Sequence, residues 1–554
     1  MRTNKQTILF VLILLLSIFL RLFRLDEIPI SLFGDEIDVG YQAWSLISTG
    51  RDYMGHTLPV YIQSLTEWRA PLLMYVVAPF IGILGPSTIS VRLPVALLGI
   101  ANILLLYFLS KHLFKSGKLA LITSFLLAIS PWHIHFSRAA FEVTLLLTLL
   151  LSGTLIFVKG KHFISLIPFT LTFYTYSTAN IFTPLLVLCL YLINRPQINL
   201  KSDWLKFFPG FLLCLPIAYF ILAGPASGRF AGISIFSDQK AIDTIITTRT
   251  EPWVIGSKVE QFFHNKPLLY LGTFAKNYLT AFSPDFLFLN GDPNFRHSIG
   301  GGFGELPLFF APFLLIGIFH LFETRDKKES RLILLWLFLS PLASSLTQGG
   351  GNHATRLFVM LPAVIIASAV GFVYVANLLS AKIKGYLLGI IFVAISLIFV
   401  VSYFHQYSSH YKYLSTKNWH YGYEQTFSGL SMETVGNHNL YINNTYEPSL
   451  LKFLFFSKYP PQKFQQEFTG DQTVTSLIPN FDGFRLGSNL YFGAIQTGVS
   501  LDDFLNSGDI YIASQRMEIP GDQDWSKETP HAFSIPSITY DVFGQPLFTV
   551  IKKK

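Results

Sequence analysis

Asp35 and Glu36 stand side by side behind Gly34, just beyond the apolar stretch 7–25. About 20 apolar residues cross a bilayer, so the pair falls in the first loop after the first crossing. Carboxylates at a membrane face are costly to keep there and by default mark a functional site. One can serve as a general base while its neighbour holds a metal or orients a hydroxyl. Two solvated loop residues are the alternative, and the pair alone does not separate the two. Tyr41, Trp44, Gly50, Gly55 and Pro59 follow in a punctuated, aromatic loop rather than a charged spacer, which favours the functional reading.

Other clusters have types and spacings suited to binding. Arg92 lies at the mouth of the next span, where its planar fork matches a phosphate; snorkelling to lipid headgroups is the alternative. The run from Ser130 to Arg138 contains Trp132, His133 and His135, and Glu142 follows. His133 and His135 point to opposite sides of an extended chain, a poor geometry for one metal. Arg138 and Glu142 share a helical face at i, i+4, which allows a plain ion pair, but their place at a membrane boundary beside the Trp-His cluster argues for a site. Residues 224–305 hold Arg229, Asp238, His264, Lys266 and Lys276, then Gly291-Asp292-Pro293-Asn294-Phe295-Arg296-His297 and Gly300 to Gly302. A Gly-x-x-x-x-Gly-Lys-Ser/Thr pattern is absent, so nucleotide hydrolysis is set aside. In Gln348-Gly349-Gly350-Gly351-Asn352-His353-Ala354-Thr355-Arg356, glycines deliver His353 and Arg356 to a helix start, whose amides favour an anion; a structural cap is the alternative.

The elements that must hold these residues are membrane helices. The 554-residue chain is 51% hydrophobic and only 13% charged, with mean hydropathy +0.45, against about 25% charge in a soluble domain. Its 53 Phe and 25 Tyr suit bilayer interfaces. The net charge of +8 is scattered between apolar runs and does not describe a nucleic-acid surface. Cys189 and Cys214 lie within apolar runs, so no disulfide framework is indicated. Residues 8–20 resemble a signal-peptide core without a small-residue cleavage site before Arg21, which reads as an uncleaved anchor.

Spanning runs occur near 7–25, 91–111, 119–136, 140–158, 162–176, 181–194, 207–223, 306–322, 332–346, 357–379 and 385–403, about 11 in all. Excess Lys and Arg marks cytoplasmic loops. With Arg2 and Lys5 inside, the same side receives Lys111, Lys115 and Lys118; Lys159 and Lys161; Arg195, Lys201 and Lys206; Arg325, Lys327, Lys328 and Arg331; and Lys382 with Lys384. This alternation requires that 71–84, which contains Pro71 and Pro79, does not cross. Arg21 and Arg24 dissent at the outer end of the first span. All the clusters above then fall outside, as does the tail from about 404. In the tail, 439–444, 489–494, 509–513 and 537–551 read as strands and 447–466 as a helix, enough for a small α/β domain.

Taken in order, these residues resemble the polytopic GT-C glycosyltransferases, especially protein O-mannosyltransferases and the lipid A aminoarabinose transferase group. The resemblance also runs through Arg69-Ala70-Pro71-Leu72, Gly85-Pro86, Val91-Arg92-Leu93-Pro94, Ser130-Pro131-Trp132, Ser137-Arg138, Tyr174-Thr175-Tyr176 and His353-Ala354-Thr355-Arg356, and covers roughly 1–405. Asn180 departs from it, standing before Pro184 where an arginine is expected. The resemblance implies a GT-C-like transmembrane domain over 1–404 and an extracytoplasmic α/β domain over 405–554, in a multi-pass plasma-membrane protein. It implies a polyprenyl-phosphate sugar donor and one inverting displacement on the outer face, onto a hydroxyl of a protein, glycan or lipid. Asp35 would be the base, and Glu36 would orient the acceptor or bind a metal. Arg92, Arg138, Glu142, His353 and Arg356 would form the substrate site. A divalent metal is compatible with this chemistry, although no ligand set in the sequence demands one. A transporter or flippase of lipid-linked sugars is the rival, but the polar residues gather at one face and the halves do not repeat.

Overall fold

The computed structural model describes residues 2–65, 67–197, 200–222, 224, 232–249, 257–380, 385–430, 436, 438–468, 475–519, 525 and 527–554. Arg229, named above in the 224–305 loop, and Lys382 and Lys384, used above to trace the topology, lie outside the described residues. The chain forms two compact units: Met1–Leu25, Glu67–Leu73 and Val95–Tyr411 make the first; Asp26–Thr66, Met74–Pro94 and Lys412–Lys554 make the second.

The first unit is helical. Among the described residues, five helices are long and apolar enough to cross a membrane: Lys5–Leu22, Thr88–Phe114, Asp203–Phe220, Ala354–Leu379 and Leu387–Leu414. Six shorter apolar helices accompany them: Leu72–Leu84, Gly117–Ile129, Glu142–Val158, His162–Tyr174, Ala179–Asn194 and Leu308–Glu323. We label the helices of either unit that bear on the site α1 (Arg2–Leu22), α2 (Gly34–Thr49), α3 (Leu72–Leu84), α4 (Thr88–Phe114), α5 (Gly117–Ile129), α6 (Pro131–Phe136) and α7 (Glu142–Val158). The 71–84 stretch forms α3, whose 13 residues reach only about 20 Å, short of the ~30 Å hydrocarbon core. The run at 332–346 is a helix over Lys328–Leu339 that hands over to a short one starting at Pro341.

Burial separates these helices by environment. Leu387–Leu414 turns Ile390, Ile391, Val393, Leu397 and Ile398 outward, as a helix solvated by lipid does. From Leu361 to Gly371, by contrast, every residue is buried. That helix and Ala311–Glu323 meet backbone to backbone: a Cβ on Gly317 would sit 1.8 Å from the Ala367 carbonyl oxygen, and one on Gly371 would sit 1.9 Å from that of Phe313. Where lipid removes the hydrophobic drive between helices, such small residues permit the close packing that holds them together.

In the second unit the tail forms a seven-stranded mixed sheet. Its strands are β1 (Leu440–Asn443), β2 (Thr475–Ile478), β3 (Phe481–Leu486), β4 (Leu490–Ile495), β5 (Ile510–Ser514), β6 (Phe533–Tyr540) and β7 (Pro546–Lys553), in the order β2-β3-β4-β1-β5-β7-β6. β1 runs parallel to both neighbours, pairing Leu440 with Leu490 and with Ile510. All four β1 residues are buried, as expected of a central parallel strand covered on both faces. Tyr441, Tyr491, Tyr511, Phe481 and Ile551 form the core on one face; on the other, Phe453 of the helix Leu450–Phe456 packs on Phe492 at 5.6 Å. The segment 537–551, expected as one strand, belongs to the hairpin β6–β7. Asp541 accepts from the amides of Phe543 and Gln545, and Gly544 takes φ 78°, so Asx-turn chemistry folds the run back on itself. β2 and β3 were not anticipated.

Candidate active site

Asp35 and Glu36 occupy the first turn of α2, a helix rather than the expected open loop. Acidic residues are favoured there by the partial positive charge of the helix N-terminus. The helix starts at Gly34 and ends with Gly50 in the left-handed conformation, φ 69°. The two neighbours part company at once: the Asp35 side is exposed and Glu36 is fully buried. Arg92 is the partner that Glu36 meets there. Its Nε donates to Oε1 at 2.9 Å and its Nη2 to Oε2 at 3.0 Å. The same guanidinium donates Nη1 to the Pro29 carbonyl at 2.8 Å and Nη2 to the Ser31 carbonyl. A bidentate pair whose guanidinium also donates to two backbone carbonyls is a geometry in which a buried ion pair is tolerable. The Trp419 ring lies 5.5 Å from the guanidinium carbon.

The next turn of α2 is pinned as firmly. Buried Asp38 accepts from Tyr53 Oη at 2.9 Å and from Ser64 Oγ. Gln42 donates to the Gln63 carbonyl at 2.8 Å and accepts from the Tyr53 amide at 3.1 Å. The loop after α2 is thus folded back onto the helix that carries the acid pair.

In the first unit, three segments far apart in sequence come together. Trp132 donates its ring N–H to the Ala354 carbonyl at 3.2 Å, and its amide to the Glu305 carbonyl at 3.0 Å. His135 Nε2 lies 2.8 Å from the Arg296 carbonyl. Asp292 Oδ2 accepts from the Ala354 amide at 2.8 Å and sits 2.8 Å from His297 Nδ1. The Trp-His cluster, the Gly291–His297 turn and the His353–Arg356 corner therefore form one polar knot.

Electrostatics within the knot are uneven. Burial alone would raise the Asp292 pKa, but the hydrogen bond and charge of His297 and the amides of Asn294 and Ala354 bring it below its usual value. Burial pushes Glu305 well above the ordinary range, with Asp292 adding to the effect. Burial, then Arg356 and His297, press His353 down to about 3. Asp292, His297 and His353 each offer one ligand atom within 4.8 Å of the others, and His353 Nδ1 is buried without a hydrogen-bond partner. A His/His/carboxylate set offers ligand types that suit a divalent cation. Glu36, expected to orient the acceptor or to bind a metal, has both oxygens on Arg92. A cation fits the histidine set better.

The expected phosphate ligands have definite protein partners. Arg138 donates to the carbonyls of Leu20 at 3.0 Å, Phe23 at 2.8 Å and Arg24 at 3.2 Å, at the C-terminal end of α1. Arg21 does the same for α5, donating to Leu127 at 3.4 Å and Ala128 at 3.2 Å, and reaches His133 Nδ1 at 2.6 Å. This explains the arginine that fitted the loop-charge pattern poorly: it satisfies orphan carbonyls at the negative end of a neighbouring helix. Glu142 opens α7. Arg356 is half-buried and donates Nη1 to Thr347 Oγ1 at 2.6 Å and to the Gln348 carbonyl at 3.0 Å. Arg138, Glu142, His353 and Arg356 belong to the first unit and Asp35, Glu36 and Arg92 to the second.

Residues 68–222 match the family model described as dolichyl-phosphate-mannose-protein mannosyltransferase. ArnT from Cupriavidus metallidurans in the apo state aligns with TM-score 0.51 and 12% identity, covering 99% of this chain and 98% of that one. Its fold is that of the GT-C glycosyltransferases. ArnT bound to undecaprenyl phosphate aligns with TM-score 0.50 and 12% identity, over 98% of this chain and 97% of that one. The oligosaccharyltransferase AglB from Archaeoglobus fulgidus, in complex with an inhibitory peptide and a dolichol-phosphate, aligns with TM-score 0.46 and 13% identity; the match covers 82% of this chain and 64% of that one. No curated protein matches the chain. The GT-C family comprises membrane-embedded glycosyltransferases, and the apolar helices and the small sheet domain here accord with that architecture.

Proposed function

We propose that this GT-C protein transfers a sugar from a polyprenyl-phosphate donor to an acceptor hydroxyl at the outer face of the plasma membrane. The observation that carries the reading is the division of labour in the first turn of α2: Glu36 is locked beneath Arg92, while Asp35 beside it is exposed. A side chain that takes a proton from an acceptor must be reachable, and Asp35 meets that requirement. Asp35 removes the hydroxyl proton as the acceptor oxygen bonds to the anomeric carbon. The bond from that carbon to the phosphate oxygen breaks, and polyprenyl phosphate leaves with the electron pair. One displacement inverts the anomeric centre.

Arg92 holds Glu36 and thereby the turn, a different part from the phosphate ligand anticipated from sequence. Arg138, Glu142, His353 and Arg356 are assigned to the donor site; of these, half-buried Arg356 at a helix start is the best suited to an anion. The membrane domain is taken as 1–404 and the extracytoplasmic domain as 405–554, with about 11 spans. The family segment over 68–222 and the undecaprenyl phosphate named for the ArnT complex support a lipid-phosphate donor. The test is transfer of labelled mannose from undecaprenyl phosphomannose to isolated cell envelope by purified protein in nanodiscs, followed by a panel of other polyprenyl-phosphate sugars. Turnover that Asp35→Asn abolishes supports the reading; wild-type turnover in that variant defeats it.

A further inference from the structure

The tail supplies the other side of the acid-bearing helix. Trp419, fully buried, meets Phe33, the residue that precedes α2, edge-on at 5.0 Å and 89°, and lies 5.5 Å from the Arg92 guanidinium carbon. Its neighbour His420 lies over Gly34, where a Cβ would approach its Cε1 to 3.7 Å. Farther along α2, Phe455 fills the space left by Gly40, and Tyr41 donates to the Tyr459 carbonyl at 3.0 Å. At the far end Gln465 Nε2 reaches Ser45 Oγ at 3.0 Å, Thr49 Oγ1 at 3.1 Å and the Asp52 carbonyl at 2.8 Å. The contacts follow α2 from its first residue to its last, and all of them lie within the second unit.

Each contact has a physical function. A ring beside a buried guanidinium attracts it through the ring quadrupole, and the attraction strengthens as water is excluded. The same ring fills space that would otherwise let the arginine change rotamer. Because Arg92 grips Glu36 and the carbonyls of Pro29 and Ser31 together, its orientation sets the entry of the chain into α2 and hence where Asp35 stands.

We propose that Trp419 is a positioning residue for the acid turn, holding Arg92 in the orientation that fixes Glu36 and presents Asp35, and that Trp419, His420, Phe455, Tyr459 and Gln465 of the tail form a cradle for α2. The role in turnover rests on the assignment of Asp35 above; the structural role does not.

The test uses the full chain in detergent. Hydrogen exchange of amides 36–41 is compared in the wild type, Trp419→Leu, Trp419→Phe and Phe481→Leu, the last loosening the sheet core away from α2. Trp419→Leu should speed exchange in α2 by roughly tenfold to a hundredfold, Trp419→Phe should largely restore protection, and Phe481→Leu should speed exchange in β3 and β4 alone. Unchanged protection of α2 in Trp419→Leu overturns the proposal. So does loss of α2 protection in Phe481→Leu to the same degree, since that would mark general destabilisation. With undecaprenyl phosphomannose, or another panel sugar that the wild type accepts, kcat of Trp419→Leu should fall on the order of tenfold to a hundredfold, because small misplacements cost that much. KM for the donor should change less than about twofold. An inactive Asp35→Asn beside a fully active Trp419→Leu would defeat the positioning role in turnover and leave the base standing. An active Asp35→Asn would defeat the base and this role in turnover with it.

Discussion

At the scale of single residues, the two neighbouring carboxylates of the acid turn differ in exposure, Asp35 being exposed and Glu36 buried. Glu36 and Arg92 form a buried pair at 2.9 Å with both side chains inaccessible, so removing one partner strands the other. Glu36→Ala should cost about 3–5 kcal/mol of stability, and Glu36→Leu combined with Arg92→Met should recover most of it; thermal unfolding in detergent reads both. Asp35→Asn, on the exposed side, should fold normally and lose about 10²- to 10⁴-fold in turnover, the usual contribution of a general base. Nearby Glu424 offers a pH handle. Burial raises its pKa above 4.5, Arg92 opposes the rise and Asp26 adds to it. Its folded value lies above its unfolded one, so the folded chain retains a proton that the unfolded chain has lost, and stability falls as pH climbs from 4.5 through the folded value. Melting temperatures from about pH 4 to about pH 8 should show this decline, flattened in Glu424→Gln.

At the scale of elements, α2 is an instance where local propensity and packing oppose each other. Gly40 in mid-helix looks like a weakness, since alanine there would ordinarily add about 1 kcal/mol. Here a Cβ would meet the Phe455 ring at 2.7 Å and Val91 Cγ2 at 2.9 Å. Gly40→Ala should therefore destabilise by roughly 1–3 kcal/mol through overpacking. Adding Phe455→Leu should relieve it, and thermal unfolding of the single and double variants checks the claim. Arginine bonding to helix ends recurs in the first unit, where Arg21 meets the carbonyls of α5 and Arg138 those of α1. Such pairing gives buried guanidinium groups carbonyl acceptors where water is scarce.

At the scale of the whole molecule, the basic loops propose an orientation. Asp326 lies in a segment with Arg325, Lys327 and Lys328, and Asn480 lies in the sheet domain. In a chain lacking Cys189 and Cys214, a membrane-impermeant maleimide should label Asn480→Cys in intact cells and leave Asp326→Cys unlabelled until the membrane is opened; the reverse pattern would defeat the orientation. The division into two units also recasts the chain's plan. Residues 26–66 and 74–94 group with the tail rather than with the helices that flank them in sequence, so the second unit is assembled from both ends of the chain.

The membrane class and the apolar helices were legible because each is written locally, in runs of apolar residues. The parallel strands of the tail were legible for the same reason: Leu440, Leu490 and Ile510 each sit in a short β-forming run. What the linear order could not determine was partnership. Arg92 read as a phosphate ligand because its type and place at a span mouth suit one, but only folding brings Glu36 onto its fork. Arg21 looked misplaced until the end of α5 arrived beside it. Asp292, His297 and His353 carried no recognisable ligand spacing, since the third lies beyond three intervening α-helices. Trp419 carries no signal in the linear sequence, because only folding brings its ring to Arg92. Hydrophobic periodicity specifies an element and the face it buries, whereas ion pairs and ring contacts between remote segments are decided by how the elements pack, and that is where this protein's acid turn acquires its shape.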